Sequence, residues 1–180
     1  MRPMPILTLI TALGALQGAV MLGFILFRER HPKTTPLALL ILVFSLRLAT
    51  IPTWNAQTLI SRPWIYPATA SLPFLFGFLL WWHAREVCTP DSGRPKHLWI
   101  HFLPWVFEVL MLSVTIISCK PEEYRSLIES IFAGTPPLWL PIRNGLKVAL
   151  NAVYVVLTAR LAFGPASAEL PTGRRLRLRS

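Results

Sequence analysis

The sequence predicts an all-α, polytopic integral membrane helix bundle of five transmembrane helices. Three observations predict it. The 180 residues are 53% hydrophobic and only 14% charged, where an average soluble domain carries about 25% charged residues. The charge deficit is concentrated in long uncharged runs separated by short polar, proline-containing segments, which is the pattern of a multi-pass chain rather than of one large core. The Lys and Arg residues, 18 in number against 8 Asp and Glu, mostly flank those runs instead of interrupting them.

The first span is Ile6 to Phe27, long enough for a hydrocarbon core of about 30 Å. Arg2 ahead of an apolar run also fits a secretory signal peptide. The run is too long for one, and it ends at Arg28-Glu29-Arg30-His31-Pro32-Lys33 instead of at small residues. Gly14 and Gly18 make a small-xxx-small pair for close helix contact. The second span is Leu37 to Trp54, with Arg47 inside it, and Asn55 to Pro63 reads as a short polar loop. The third span is Trp64 to His83, with kinks expected at Pro67 and Pro73. A charged loop with Arg85, Glu86, Asp91, Arg94 and Lys96 follows, and Trp81, Trp82 and Trp99 fall where the chain should meet the headgroups. The fourth span is Leu98 to Ser118.

Between spans four and five, Pro121-Glu122-Glu123 suits a helix start: proline in the first turn, acids at the positive end of the dipole. Leu127, Ile128, Ile131 and Phe132 share a face, and Gly134 with Pro136 stops the helix. An amphipathic helix lying on the membrane surface is expected. Trp139 to Phe163 is the fifth span. Residues 1–163 thus form one transmembrane domain, and 164–180 a basic tail with Arg174, Arg175, Arg177 and Arg179.

Five spans put the termini on opposite sides. With the N-terminus outside, the inner segments hold eleven of the Lys and Arg residues and the outer segments four (Arg2, Arg62, Lys120 and Arg125). Arg47, Arg143 and Lys147 lie within spans. The positive-inside rule therefore favours N-out and C-in, placing the tail in the cytoplasm and the chain in a bacterial inner (cytoplasmic) membrane. The net charge of +10 is then a matter of topology and lipid phosphate, and no direct contact of this chain with nucleic acid is expected. Cys88 and Cys119 should sit at opposite faces as free thiols.

Ionisable groups inside a membrane need a partner or a purpose. Glu108 lies about ten residues, or about 15 Å, from the inner end of span four. Arg47 and Lys147 reach similar depths, and Arg143 is one turn outward of Lys147 on the same face, with Asn144 and Asn151 nearby. A buried cluster of Glu108 with Arg47, Lys147 or both is expected. Its alternatives are a structural ion pair, a ligand or signal-coupling site, and a transport path; Lys147 or Arg143 can also snorkel to the interface. Three cations against one carboxylate leave room for an anion. His97 and His101, with His83 and Cys88, have residue types that bind zinc, yet their spacing builds no closed site, and no metal or cofactor is expected. His101 stays among the ligand or coupling candidates. No nucleophile–base motif, phosphate loop or H-E-x-x-H appears, so no enzyme activity is expected.

Several stretches in order resemble one family. These are Gly14-Ala15-Leu16-Gln17-Gly18 and the basic turn Arg28 to Lys33, then Pro36-Leu37-Ala38-Leu39-Leu40 with Arg47. Next come Pro73-Phe74-Leu75-Phe76-Gly77-Phe78-Leu79-Leu80 with Arg85, His101-Phe102-Leu103-Pro104, and Pro121-Glu122-Glu123. Over residues 5–163 the chain resembles the N-terminal membrane region of bacterial membrane-bound AraC-type transcriptional regulators. That resemblance implies seven spans, a cytoplasmic linker and a DNA-binding domain with two helix-turn-helix motifs, the membrane part being input and anchor. Here five spans are present, and residues 164–180 hold no helix-turn-helix. The expectation is a sensor or anchor module, truncated or acting through a partner, with a homo-oligomer among the possible arrangements. The alternatives are a small transporter or permease-like subunit and a non-catalytic structural membrane protein.

Overall fold

The computed structural model describes residues 5–28, 34–89 and 96–163. These form eight α-helices: α1 (Pro5–Arg28), α2 (Thr35–Thr50), α3 (Ala56–Ser61), α4 (Ile65–Ala70), α5 (Pro73–Cys88), α6 (Leu103–Ser118), α7 (Pro121–Phe132) and α8 (Trp139–Phe163). Single 3-10 turns at Ile51–Thr53 and Leu98–Phe102 extend α2 and lead into α6. No strand occurs among the described residues. Five helical stretches are long and apolar enough to cross a membrane: Ile6–Phe27, Thr35–Thr53, Ile65–Cys88, Leu98–Ser118 and Trp139–Phe163. The basic turn around Arg30, the loop residues Asp91 and Arg94, and the tail from Gly164 onward lie outside the described residues.

The helix starts follow from the sequence. Proline stands in the first turn of α2, α5, α6 and α7, where its missing N–H costs nothing. At α7 the Glu123 carboxylate also accepts from the Lys120 N–H at 3.1 Å, as in the back-bonding half of a capping box. Gly134, at φ +79°, ends α7. The Thr135 N–H reaches back to Ser130 O at 3.0 Å, the six-to-one bond of a Schellman motif.

α4 and α5 together are the third span, and they form the centre of the bundle. That span is 67% buried within the protein, against 11% for each of the other four. α8 and α2 pack on α5, α1 packs outside α2, and α6 packs on α4. The α1–α2 contact uses the paired glycines: a Cβ on Gly14 would lie 2.9 Å from Leu48, and one on Gly18 would overlap Ser45. Two apolar clusters fill the interior. Leu72, Leu75, Phe78, Leu79, Trp82 and Tyr154 form one. Leu59, Tyr66, Leu112, Tyr124, Ile128 and Leu140 form the other, at the end covered by α3 and α7.

Three expectations are corrected. The polar loop 55–63 contains a short helix, α3, because Asn55 caps it by accepting from the Thr58 N–H at 2.8 Å. The third span runs on to Cys88, so Arg85 and Glu86 lie in the last turn of α5 and not in the loop. They stay helical because they have local partners: Glu86 accepts from Trp82 Nε1 at 3.1 Å, and the Arg85 guanidinium stands 5.8 Å from the Trp81 ring. Trp82 is accordingly buried in the core rather than turned to headgroups, while Trp99 is 62% exposed. α7 is the amphipathic helix expected between spans four and five, and its apolar face packs on the bundle end. Tyr124 and Ile128 are buried, and the Tyr124 hydroxyl donates to Leu59 O at 3.1 Å. α3, one short helix away across the bundle end, offers more apolar contact than an isolated surface position would.

Candidate functional site

The site is built on one face of α8. Arg143, Lys147, Asn151 and Tyr154 follow the i, i+4, i+8, i+11 spacing that stacks side chains on a single helical face. Each meets the third span or its neighbours in turn. Arg143 donates to the Tyr66 hydroxyl at 3.2 Å, and Lys147 to Ala70 O at 2.8 Å. Asn151 donates to Pro73 O at 2.9 Å and accepts from the Gly77 N–H at 2.7 Å. The Tyr154 hydroxyl lies 2.7 Å from His101 Nδ1. Both sets of residue numbers rise together, so the third span and α8 run parallel.

This ladder lies beside the kink in the third span. Pro73 has no N–H to give to Thr69 O. The next amide, Phe74 N–H, bonds to Ser71 O at 3.0 Å rather than to Ala70 O. Ala70 O therefore needs an outside donor, and Lys147 supplies it. One turn on, the Asn151 carboxamide bridges Pro73 O and the Gly77 N–H, a carbonyl and an amide that an α-helix pairs with each other. The side chain fits there because residue 77 is glycine. A Cβ at that position would lie 2.8 Å from Asn151 Oδ1 and 3.0 Å from Tyr154 Cβ.

Glu108 joins the ladder from α6. Its Oε1 lies 3.0 Å from Arg143 Nε and 3.4 Å from Lys147 Nζ, with all three side chains nearly covered. Such a set is expensive to desolvate and costly to break, because removing one member leaves the others unpaired. The sequence expectation of a Glu108–Lys147 pair holds in the structure, and Arg143 is the second cation. Arg47 is not. It faces the same cavity, but its guanidinium lies 4.4 Å from the centroid of the Trp54 ring, and Arg47 Nη1 is buried without a hydrogen-bond partner among the described residues. Trp54, which follows the 3-10 turn after α2, gives Arg47 a cation–π partner in place of Glu108.

His101 is also separate from this cluster. It stacks on Phe78 at 5.0 Å, within a group of rings that includes Trp81 and Tyr154, and pairs with Tyr154 two rungs along α8 from Lys147. Cys88 and Cys119 are free thiols at the ends of α5 and α6. Among the described residues no three His, Cys, Asp or Glu side chains converge as a metal site would require.

The sequence reading underweighted Asn151 and passed over Tyr66, Trp54 and Tyr154. The recurrence of polar residues at 143, 147, 151 and 154 on an otherwise apolar helix was the available signal. Nothing in the sequence announced that the main-chain oxygen of Ala70 would be a partner.

Fold and site together define a helical bundle with five membrane-length helices and a charge cluster buried at the kink of the central one. Compared with known proteins, the chain matches no family model, no curated protein and no solved structure.

Proposed function

We propose that this chain is the sensor and anchor module of a membrane-bound signalling protein, inserted N-out and C-in in a bacterial cytoplasmic membrane. The observation that carries this reading is the α8 ladder. Through Arg143, Lys147 and Asn151, one helix reads the state of the central kinked span and of Glu108 on α6, and the same helix runs on toward the basic tail. A change at the charge cluster then shifts or rotates α8, and the tail passes the shift to an output domain or partner. Insertion is supported by the apolar residues left on the outside. Leu9, Phe27, Ile117, Ile142 and Val148 are each more than 60% exposed, the composition that a lipid-facing surface has. The resemblance to the membrane region of AraC-type regulators belongs to this reading, as do a regulatory output and self-association.

The test is a split reporter fused after Ser180 in bacterial membranes, with Glu108→Gln beside the unmodified chain. The sensor reading expects reporter output to change at equal amounts of inserted protein. Output that follows protein amount alone makes the bundle a passive anchor.

One observation favours the transporter alternative: a kinked span whose freed carbonyl faces a charged cavity resembles the discontinuous helices that line solute sites. Solute flux into liposomes that is lost in Lys147→Met would move the reading there.

A further inference from the structure

A partly open cavity of about 220 Å³ lies beside the ladder, lined by Arg47, Arg143, Lys147, Asn144, Tyr66 and Trp54, with apolar side chains completing the wall. Three of these lining residues are cationic. The nearest carboxylate, Glu108, brings one negative charge, and a single oxygen of it is shared by Arg143 and Lys147. Among the described residues the cluster sets three formal positive charges against one negative in the interior of an apolar bundle, where an unpaired charge costs several kcal/mol or more. Arg47 Nη1, Arg143 Nε and Glu108 Oε1 are all buried without a hydrogen bond among the described residues, although the last two are in ion-pair contact. Lys147 has three N–H donors; one is used on Ala70 O and one is directed at Glu108, and the ammonium also stands 5.3 Å from the centroid of the Phe74 ring. The Arg47 guanidinium stands over the Trp54 ring, 4.4 Å from its centroid.

We propose that this cavity binds a small anion carrying a carboxylate or phosphate group, held between the Arg47 fork and Lys147. Charge-assisted bonds to such a group would satisfy Arg47 Nη1 and add an anionic partner for the Lys147 ammonium. The volume suits the ligand: at about 30 Å³ per water in the liquid, it holds about seven waters, enough for a phosphate or a short dicarboxylate. The same chemistry is presented by a lipid headgroup phosphate reaching in from the bilayer. The inference deepens the sensor reading by naming the class of signal. It rests on that reading only for what binding does, since binding is measured without any output.

The experiment uses the full chain in nanodiscs of zwitterionic phosphatidylcholine. Its thermal midpoint is followed against inorganic phosphate, succinate, and sodium chloride at matched ionic strength. A midpoint that climbs with the logarithm of phosphate or succinate concentration, and not with chloride, is the expected result. Arg47→Gln should weaken the apparent affinity about tenfold or more, and Glu108→Gln should tighten it, the opposite sign. Should Arg47→Gln not fold, Arg47→Lys keeps the charge, loses the planar fork and should still bind more weakly. In discs containing phosphatidylglycerol, a rise without added anion that Arg47→Gln abolishes identifies the headgroup as the source. The proposal is overturned if neither anion nor anionic lipid moves the midpoint, if chloride does as well as phosphate, or if the Arg47 variants bind as the parent does. Anion binding with an unmoved split reporter would overturn the sensor reading alone.

Discussion

Lys147 Nζ lies 2.8 Å from the main-chain oxygen of Ala70, the carbonyl released by the kink ahead of Pro73. A side chain on the last helix thereby completes the backbone of the central one. Lys147→Met removes that donor and half of the compensation for Glu108. It should destabilise the protein by about 2–4 kcal/mol, the range for breaking a buried charged set. Lys147→Gln, which can still donate to Ala70 O, should recover part of the loss. Denaturation in mixed micelles reads both.

Gly77 should tolerate no side chain. Gly77→Ala places a methyl 2.8 Å from Asn151 Oδ1 and 3.0 Å from Asn151 Cα, so backbone as well as side chain must give, at about 1–3 kcal/mol. A Cβ on Gly145 or Gly23 meets nothing within 4 Å. Alanine there should be neutral, or stabilising by up to about 1 kcal/mol through helix propensity. The same denaturation measurement separates the glycine required by close approach from the two that are not.

Asn151 makes more hydrogen bonds than any other rung but should matter less than the charges. Side-chain hydrogen bonds inside membrane proteins average about 0.6 kcal/mol each. Asn151→Leu, which loses its bonds to Pro73 O, the Gly77 N–H and Lys147 O, should cost about 1–2 kcal/mol, less than Lys147→Met. A larger loss for Asn151→Leu than for Lys147→Met would invert the order of effects along α8.

Tyr124 sets an alkaline limit on the bundle end formed by α3 and α7. Burial, with a smaller contribution from Tyr66, pushes its phenol up from 10.0 to about 12. The unfolded chain releases this proton first. The stabilisation is therefore complete below about pH 10 and is lost as pH rises from there toward 12. In Tyr124→Phe the hydrogen bond to Leu59 O is gone, at about 1 kcal/mol, and stability should fall less steeply over that window. Unfolding midpoints at pH 9, 10 and 11 check the slope.

Much of this was legible in the sequence because hydropathy and proline placement are local signals. The five apolar runs, the start of α7 at Pro121 and its stop at Gly134 were readable in that way. Glu108 with Lys147 was readable too, since an acid and a base at matching depths have few other ways to be satisfied. The faces were harder to read. The Asn55 cap is a common tripeptide pattern, and the inward turn of α7 depends on α3 being there to receive it. Of the alternatives Arg47, Lys147 or both, the sequence could not choose Lys147 as the partner of Glu108, because a guanidinium at that depth has two good partners, a carboxylate and an aromatic face, and only the three-dimensional path of residues 51–54 places Trp54 beside it. His101, a ligand or coupling candidate, could not be matched to Tyr154 from the sequence, since the two lie 53 positions apart.

Glu108 and Lys147 act on each other across α6 and α8, and do not merely each contribute to stability. A double-mutant cycle with Glu108→Gln, Lys147→Met and the double variant, unfolded in mixed micelles, measures that directly. The expected coupling is about 1–3 kcal/mol, the double variant being less damaged than the two single losses added together. Losses that add to within about 0.5 kcal/mol would contradict the account and leave the 3.4 Å approach without energetic meaning.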